Sequence, residues 1–144
     1  MTTISQLLST KGSEVYTVSP DNTVAEVLQL LADKNIGAVP ILQEGKLVGI
    51  FSERDYVRNV ISRGESLMDL PIKEIMTSQV RYVHPSQTLE EGMALMTSKH
   101  FRHLPVLSEE QALLGIISIG DVVKAVIEKQ EFLIEQLESY ITGA

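Results

Sequence analysis

The sequence contains no cysteine, which excludes disulfide bonds, thiolate metal sites and cysteine nucleophiles. It has no apolar run long enough to cross a bilayer. Residues 1–15 also lack the basic stretch followed by an apolar segment that marks a signal peptide. These absences predict a cytoplasmic protein that does not associate with a membrane.

Basic residues are scarce as well: 12 Lys and Arg residues stand against 19 Asp and Glu residues, for a formal net charge of -7. Nucleic-acid binding depends mainly on clustered Lys and Arg that meet phosphates, so this balance predicts no nucleic-acid partner. Any nucleotide site would need its own local concentration of positive charge. The motifs of P-loop proteins, dinucleotide-binding folds and serine hydrolases are absent too, which argues against those enzyme classes.

What the sequence does contain is an internal repeat. A shift of 65 positions aligns residues 15–44 with 80–109, and a shift of 66 aligns residues 48–61 with 114–127. About a third of the positions in the first pair and half of those in the second are identical, including Pro, Gly, Ser and Asp, which indicates duplication. A single copy of about 45 residues is too short to bury a core easily, so we expect the two copies to pack as one module.

Each copy predicts the element order β-α-β-β-α. An extended segment ends at a proline, and the capping boxes Thr23–Glu26 and Thr88–Glu91 then start a helix. Two short apolar segments follow as a β-hairpin, and a second helix closes the copy. Residues 4–8 and 72–76 predict short helical turns before the two copies. The fold class is therefore α+β, with two repeats related by a pseudo-twofold axis.

We predict that the first repeat, with its N-terminal lead-in, spans residues 1–66, the second spans 67–129, and a helical extension spans 130–144. From residue 121 to about 141 no Gly or Pro interrupts the chain, and apolar residues recur every three or four positions. This pattern predicts one long helix. Its apolar stripe would pack either on its own module or against a second copy.

Both copies end in Gly-apolar-apolar-Ser-x-x-Asp, from Gly49 to Asp55 and from Gly115 to Asp121. The Ser and Asp can simply cap the following helix. They can also form a nucleotide receptor, with phosphate at the helix N-terminus and ribose on the carboxylate. The strand glycines likewise suit either tight packing or the close approach of a planar base. The pattern alone leaves both interpretations open.

Two histidines, His100 and His103, have the spacing of a possible metal site on a helix. The expected break between helix and strand falls between them, and no third ligand is evident nearby. We therefore favour contact with solvent or phosphate over metal binding.

Over residues 15–127 the chain resembles a tandem pair of CBS domains, also called a Bateman module. The resemblance rests on the two Ser-x-x-Asp segments and on Gly37-Ala38-Val39-Pro40, Arg102-His103-Leu104-Pro105 and Ile75-Met76-Thr77. It implies that AMP, ADP, ATP or NAD(H), and less readily S-adenosylmethionine, binds in clefts between the repeats, with no cofactor required. It also implies a homodimer and an unidentified target enzyme.

In this resemblance, Asp55 and Asp121 hold the ribose, and Ser52 and Ser118 help with ribose or phosphate. Arg54 belongs to one copy and Arg102 with His103 to the other, which predicts two unequal sites. The complete set of candidate ligand-binding residues is Thr17, Gly37, Ala38, Pro40, Ser52, Arg54, Asp55, Arg81, Arg102, His103, Leu104, Pro105, Ser118, Ile119, Gly120 and Asp121.

Three functions follow in order of preference. The first is a regulatory sensor that binds an adenosine nucleotide without turning it over. The second is a structural or dimerisation module with degenerate ligand sites. The third, an enzyme, is disfavoured because Asp55 and Asp121, the available acids, are assigned to the ribose.

Overall fold

The computed structural model describes residues 2–12 and 14–143. The predicted α+β fold is confirmed, and each repeat contributes one two-stranded antiparallel sheet. The elements are α1 (Ile4–Lys11), α2 (Val24–Lys34), β1 (Ala38–Gln43), β2 (Lys46–Ser52), α3 (Glu53–Arg63), α4 (Leu89–Lys99), β3 (His103–Leu107), β4 (Leu113–Ser118) and α5 (Ile119–Thr142), with 3-10 turns at Gly64–Asp69 and Ile72–Glu74.

The first strand of each repeat is shorter than predicted. It is reduced to a single parallel bridge, between Val18 and Ile41 in one copy and between Val83 and Val106 in the other. The proline two residues later, Pro20 or Pro85, has no N–H to donate, so the ladder cannot continue past the bridge.

Local signals start and end the helices as predicted. The side chains of Thr23 and Thr88 accept hydrogen bonds from the backbone N–H groups of Glu26 and Glu91, which complete both capping boxes. Helix α4 ends at His100, whose φ of 59° places it in the left-handed region. His100 and His103 therefore do not share a helix face.

The two hairpins have equivalent registers. Pro40 pairs with Ile50 in β1–β2, and Pro105 pairs with Ile116 in β3–β4. The first hairpin turns at Glu44 and Gly45, where both φ angles are positive, as a two-residue turn between twisted strands requires.

The lead-in segments are exchanged between the two cores. Ile4 and Leu7 of α1, which precedes the first repeat, are buried with Leu89, Leu104 and other residues of the second repeat. Conversely, Leu67, Ile72 and Ile75 of the linker are buried in the core of the first repeat. Each core therefore includes the lead-in segment of the other copy. The repeat bounds 1–66 and 67–129, which follow chain order, stay predictions.

Backbone hydrogen bonds hold these exchanged segments in place. The N–H of Ile4 donates to the Gln87 carbonyl at 2.9 Å, and the N–H of Leu89 donates to the Thr2 carbonyl at 2.9 Å. In the other core, the N–H of Ile72 donates to the Asn22 carbonyl at 2.7 Å. The exchange ties the two repeats into one module.

Helix α5 is one continuous helix, as predicted. Its first turns pack on the second repeat through Val122, which is buried, and through Ala125 and Val126. The predicted apolar stripe is not covered by its own module, which contradicts the first of the two alternatives. Exposure along the stripe is 47% at Val123, 50% at Ile127, 54% at Ile134, 61% at Leu137 and 79% at Ile141.

No helix within residues 2–12 and 14–143 combines the length and apolar character of a membrane span.

Candidate functional site

A cavity of about 660 Å³ lies between the two repeats, and we call it the first cleft. Its walls are the start of α3 with its cap, the extended segment after the linker, and the loop between α4 and β3. This volume is in the range of small-molecule sites. The candidate residues that line it are Gly37, Ser52, Arg54, Asp55, Arg81, Arg102 and His103.

This grouping differs from the sequence-based assignment of the basic residues. Arg54 comes from the first copy and Arg102 and His103 come from the second, yet all three line the first cleft. The repeats pack face to face, so the motif of one copy meets the segment before the proline of the other. The basic candidate residues of the two copies therefore meet in one cleft instead of being divided between two.

Five basic side chains surround the first cleft, against two carboxylates, Glu53 and Asp55. In the described part of the chain, the ion pairs lie elsewhere, so none of the five is paired with a carboxylate. The protein as a whole is acidic, and this cleft is a local region of positive potential. The five cations are Arg54, Arg58, Arg81, Lys99 and Arg102.

Arg58, Lys99 and Thr77 were not among the sequence-based candidates. Arg58 lies four residues after Arg54, and this spacing places both on one face of α3, a signal that could have identified it. Lys99 carries no comparable local signal, because only the packing of the repeats brings it to the cleft. Thr77 belongs to the Ile75-Met76-Thr77 segment of the resemblance but was not assigned to the ligand.

The Ser-x-x-Asp motif of the first copy forms a helix cap, as one of the two interpretations predicts. The backbone N–H of Ser52 donates to Asp55 Oδ2 at 2.8 Å, and the backbone N–H of Asp55 donates to Ser52 Oγ at 3.3 Å. The other carboxylate oxygen, Oδ1, accepts the hydroxyl of Thr77 at 3.1 Å. A carboxylate has lone pairs to spare, so capping does not prevent Asp55 from accepting hydrogen bonds from a ligand.

The motif of the second copy forms the same cap but carries an additional partner. Ser118 N–H donates to Asp121 Oδ2 at 2.8 Å, and Lys11 Nζ reaches the same oxygen at 2.6 Å. Lys11 Nζ also donates to the carbonyl of Ile116 at 2.5 Å. Lys11 lies 110 positions from Asp121, on α1, so sequence reasoning missed it.

Lys11 lowers the pKa of its partner, Asp121. Burial alone would raise the pKa of Asp121, but the hydrogen bond and charge of Lys11, together with the hydrogen bonds from Ser118, outweigh it and hold that pKa below the usual value. Asp121 is therefore ionised and paired near neutral pH.

The region around Ser118 and Asp121 is the repeat-related counterpart of the first cleft, and we call it the second cleft. Among the described residues, Asp121 is the one candidate that borders a groove of about 650 Å³ between α1 and α5, together with Lys11 and Lys124. Ile119 and Gly120 are exposed at the start of α5. The two Ser-x-x-Asp motifs therefore open onto different surroundings.

The other candidates do not line the first cleft. Thr17 is exposed in the extended segment before α2, and four residues are buried in β1 and β3. Leu104 is fully buried in the second core. The four buried candidates are Ala38, Pro40, Leu104 and Pro105.

The strand glycines serve tight packing. A Cβ at Gly49 would overlap the sulfur of Met76, and one at Gly115 would lie 2.9 Å from Leu8 Cδ2. The side chains of Met76 and Leu8 already occupy the space beside Gly49 and Gly115, so the structure does not support the alternative of a planar base at these glycines. Gly37 differs, because a Cβ there would lie 3.4 Å from His103 Nε2, across the cleft.

His103 is half-buried and lies near charged groups of both clefts. Burial lowers its pKa, the charges of Lys11 and Arg102 lower it further, and Asp121 and Glu53 act in the opposite direction. The balance favours a neutral imidazole at neutral pH. Within the described residues, no group of three His, Asp or Glu side chains is arranged to hold a metal ion.

Comparison with known proteins gives consistent matches along the chain. A model of the CBS domain matches residues 4–62 and 72–128. CBS domain-containing protein CBSX3, mitochondrial, of Arabidopsis thaliana is 33% identical over 151 residues, which cover 99% of this chain and 73% of that protein.

Solved structures agree. A CBS-domain containing protein from Agrobacterium tumefaciens is 41% identical, with a TM-score of 0.82 over 86% of this chain and 98% of that one. CBSX2, solved in complex with AMP, is 25% identical, with a TM-score of 0.73 over 90% of this chain and 99% of its own.

Proposed function

The chain belongs to the CBS-domain family, as its sequence predicts, and from this premise we propose that it is a regulatory module that binds an adenosine nucleotide in the first cleft without catalysis. The observation that carries the proposal is the combination, in one cavity, of the Asp55 carboxylate with five cations that no carboxylate neutralises. The AMP complex of the related CBSX2 supports the class of ligand.

Each wall of the first cleft has a chemical role in this proposal. Asp55 Oδ1, which now accepts only the Thr77 hydroxyl, accepts the ribose hydroxyls. Arg54, Arg81 and Arg102 neutralise the phosphates, because guanidinium groups form strong paired hydrogen bonds with phosphate oxygens. Neutral His103 offers one donor and one acceptor to the base.

The charge of the first cleft also ranks the ligands. ADP and ATP carry more negative charge than AMP and match five cations best, and NAD(H) follows with its diphosphate. The sulfonium of S-adenosylmethionine is positive and would meet like charge, so it ranks last. For an AMP-sized ligand we expect a dissociation constant on the order of 10 μM, which suits a sensor of metabolite concentration.

Isothermal titration calorimetry with ATP, ADP, AMP, NADH and S-adenosylmethionine tests the proposal. We expect ATP and ADP to bind most tightly and S-adenosylmethionine least tightly, and mass spectrometry of the recovered ligand should find it unchanged. Ligand consumption would favour an enzyme. The absence of binding by every compound would favour the alternative, a structural module with degenerate sites.

We also propose that the module forms a homodimer to which α5 contributes. The exposed stripe from Val123 to Ile141 repeats at coiled-coil spacing, with Gln130 as one polar residue in its middle. Light scattering on a double variant, Ile134→Glu with Leu137→Glu, should report a smaller mass than that of the unmodified protein. The exposed change Glu135→Gln is the matched control. The cytoplasmic location and the target enzyme stay predictions.

A further inference from the structure

We propose that Lys11 closes the second cleft, so that each chain binds one nucleotide, in the first cleft, instead of two. This inference rests on the proposed function, because it concerns the same adenosine ligand. It assigns a role in ligand selection to a residue of the N-terminal helix that lies outside both Ser-x-x-Asp motifs.

The repeat shows what Lys11 replaces. A shift of 65 positions aligns Lys11 and Gly12 with Met76 and Thr77. In the first cleft, Ile50 and Thr77 exchange two backbone hydrogen bonds, each of 2.9 Å, and the Thr77 hydroxyl contacts Asp55. In the second cleft, Lys11 Nζ contacts both the Ile116 carbonyl and the Asp121 carboxylate. An ammonium group thus takes the place of a neutral hydroxyl.

The two carboxylates therefore present different obstacles to a ribose. At Asp55 the ribose hydroxyls compete with one hydroxyl of similar strength. At Asp121 they compete with an ammonium group, so both partners of the existing hydrogen bond are charged and Coulomb attraction adds to it. The Lys11 and Asp121 side chains are only 32% and 25% exposed, so water and salt screen the pair less than a surface pair.

The second cleft also has fewer unpaired cations for the phosphates: Lys124, the counterpart of Arg58, borders it, and Lys129 is paired with Glu90. Three of the five cations of the first cleft align with uncharged residues: Arg54 with Gly120, Arg81 with Tyr16, and Arg102 with Gly37. The counterpart of Lys99 is Lys34, whose Nζ lies over the Tyr16 ring at 5.1 Å from its centroid. Less positive charge than in the first cleft is therefore available to compensate a ligand for separating Lys11 from Asp121.

Helix α1 holds Lys11 in this position. Ile4 and Leu7 of the same helix are buried in the core of the second repeat, and Lys11 is the last residue of α1. The backbone of Lys11 therefore belongs to a helix that is fixed to the second core by its buried side chains.

Isothermal titration calorimetry with ADP on the full chain tests the inference. We expect a stoichiometry of one ADP per chain for the unmodified protein and two for Lys11→Met, and adding Asp121→Asn to Lys11→Met should abolish the new site. The matched control is Lys73→Met, which breaks the exposed ion pair with Asp21 and should leave the stoichiometry at one. Two sites in the unmodified protein, or one in Lys11→Met, would overturn the inference. So would weaker ADP binding by Lys11→Met, because Lys11 would then be a ligand contact.

A second measurement needs no ligand and separates this inference from the proposed function. Carboxyl NMR should show a higher pKa for Asp121 in Lys11→Met than in the unmodified protein. If ADP binds neither protein, the proposed function fails while this titration still tests the ion pair. An identical pKa of Asp121 in both proteins would show that Lys11 does not pair with Asp121 in solution.

Discussion

The two clefts carry the same Ser-x-x-Asp motif with the same cap geometry, yet they differ in what meets the carboxylate. Asp55 accepts a hydroxyl and borders a cavity with five cations, whereas Asp121 is paired with Lys11. Apart from Arg54, which lies within the first motif, the difference comes from residues outside the motif. A duplicated motif therefore does not imply a duplicated site, because the partners supplied by distant elements decide what each copy can bind.

Neutralising one carboxylate at a time tests most directly whether the two clefts differ in nucleotide binding. Asp55→Asn should weaken ADP binding about 100-fold, because the ribose loses hydrogen bonds to a charged acceptor, each worth about 1.5–3 kcal/mol. Asp121→Asn should change the affinity less than about twofold, since the second cleft is closed in our proposal. Titration calorimetry measures both. Equal losses in the two variants would mean that both clefts bind nucleotide.

Circular dichroism and thermal denaturation serve as the control for these variants. Asn keeps the shape of Asp, and its amide oxygen can still accept the N–H of the N-cap serine, so both proteins should stay folded. A loss of helix in Asp55→Asn would assign its effect to the cap of α3 and not to the ligand.

The second prediction tests whether cations from both repeats serve one site. Arg54→Ala and Arg102→Ala should each weaken ADP binding about tenfold, equivalent to about 1.4 kcal/mol, and should have a smaller effect on adenosine, which has no phosphates. Lys34→Ala is the control, because Lys34 is the counterpart of Lys99 and does not line the first cleft, and it should leave ADP affinity unchanged. Full ADP affinity in Arg102→Ala would show that Arg102 of the second copy does not contribute to binding in the first cleft.

Local features of the fold were predictable because the signals and the structures they produce lie within a few residues. The capping boxes at Thr23 and Thr88 and the turn at Glu44 and Gly45 are of this kind. The exchange of α1 was not predictable, since nothing in residues 4–8 says which of two similar cores will bury Ile4 and Leu7.

The site was predictable to the same extent. The repeat and the family resemblance identified Ser52 and Asp55, and the structure places both beside the first cleft. Which repeat supplies the remaining walls depends on how the copies face each other, so Arg54 and Arg102 were assigned to different sites. Lys11 reaches Asp121 across 110 positions, and no local pattern marks such a contact.

The strand glycines offer a third way to compare the copies. Gly115→Ala should lower the free energy of unfolding by about 1 kcal/mol, because the new methyl presses against Leu8, which joins α1 to the second core. Gly49→Ala overlaps Met76 more closely, but the flexible Met side chain can adjust, so we expect a loss of similar size. Chemical denaturation measures both. A neutral effect at both positions would show that neither packing contact is tight in solution.

The smallest expected effect concerns the pH dependence of the Lys11–Asp121 pair. Lys11→Met should lower the free energy of unfolding near neutral pH by at most about 1 kcal/mol, because the pair is only partly shielded from solvent. The pKa of Asp121 is lower in the folded state than its unfolded value of 3.8, so the pair contributes fully above that value. Its contribution is lost as the pH falls through the folded pKa.

The difference between Lys11→Met and the unmodified protein should therefore be constant from neutral pH down to about 5 and should shrink at lower pH. Urea denaturation at a series of pH values gives this curve, and Lys73→Met, whose partner Asp21 is 78% exposed, should show almost no difference at any of them. A difference that persists unchanged in acid would assign the role of Lys11 to the packing of its aliphatic stem. The chemical distinction between the two clefts would then rest on the difference in unpaired cations alone.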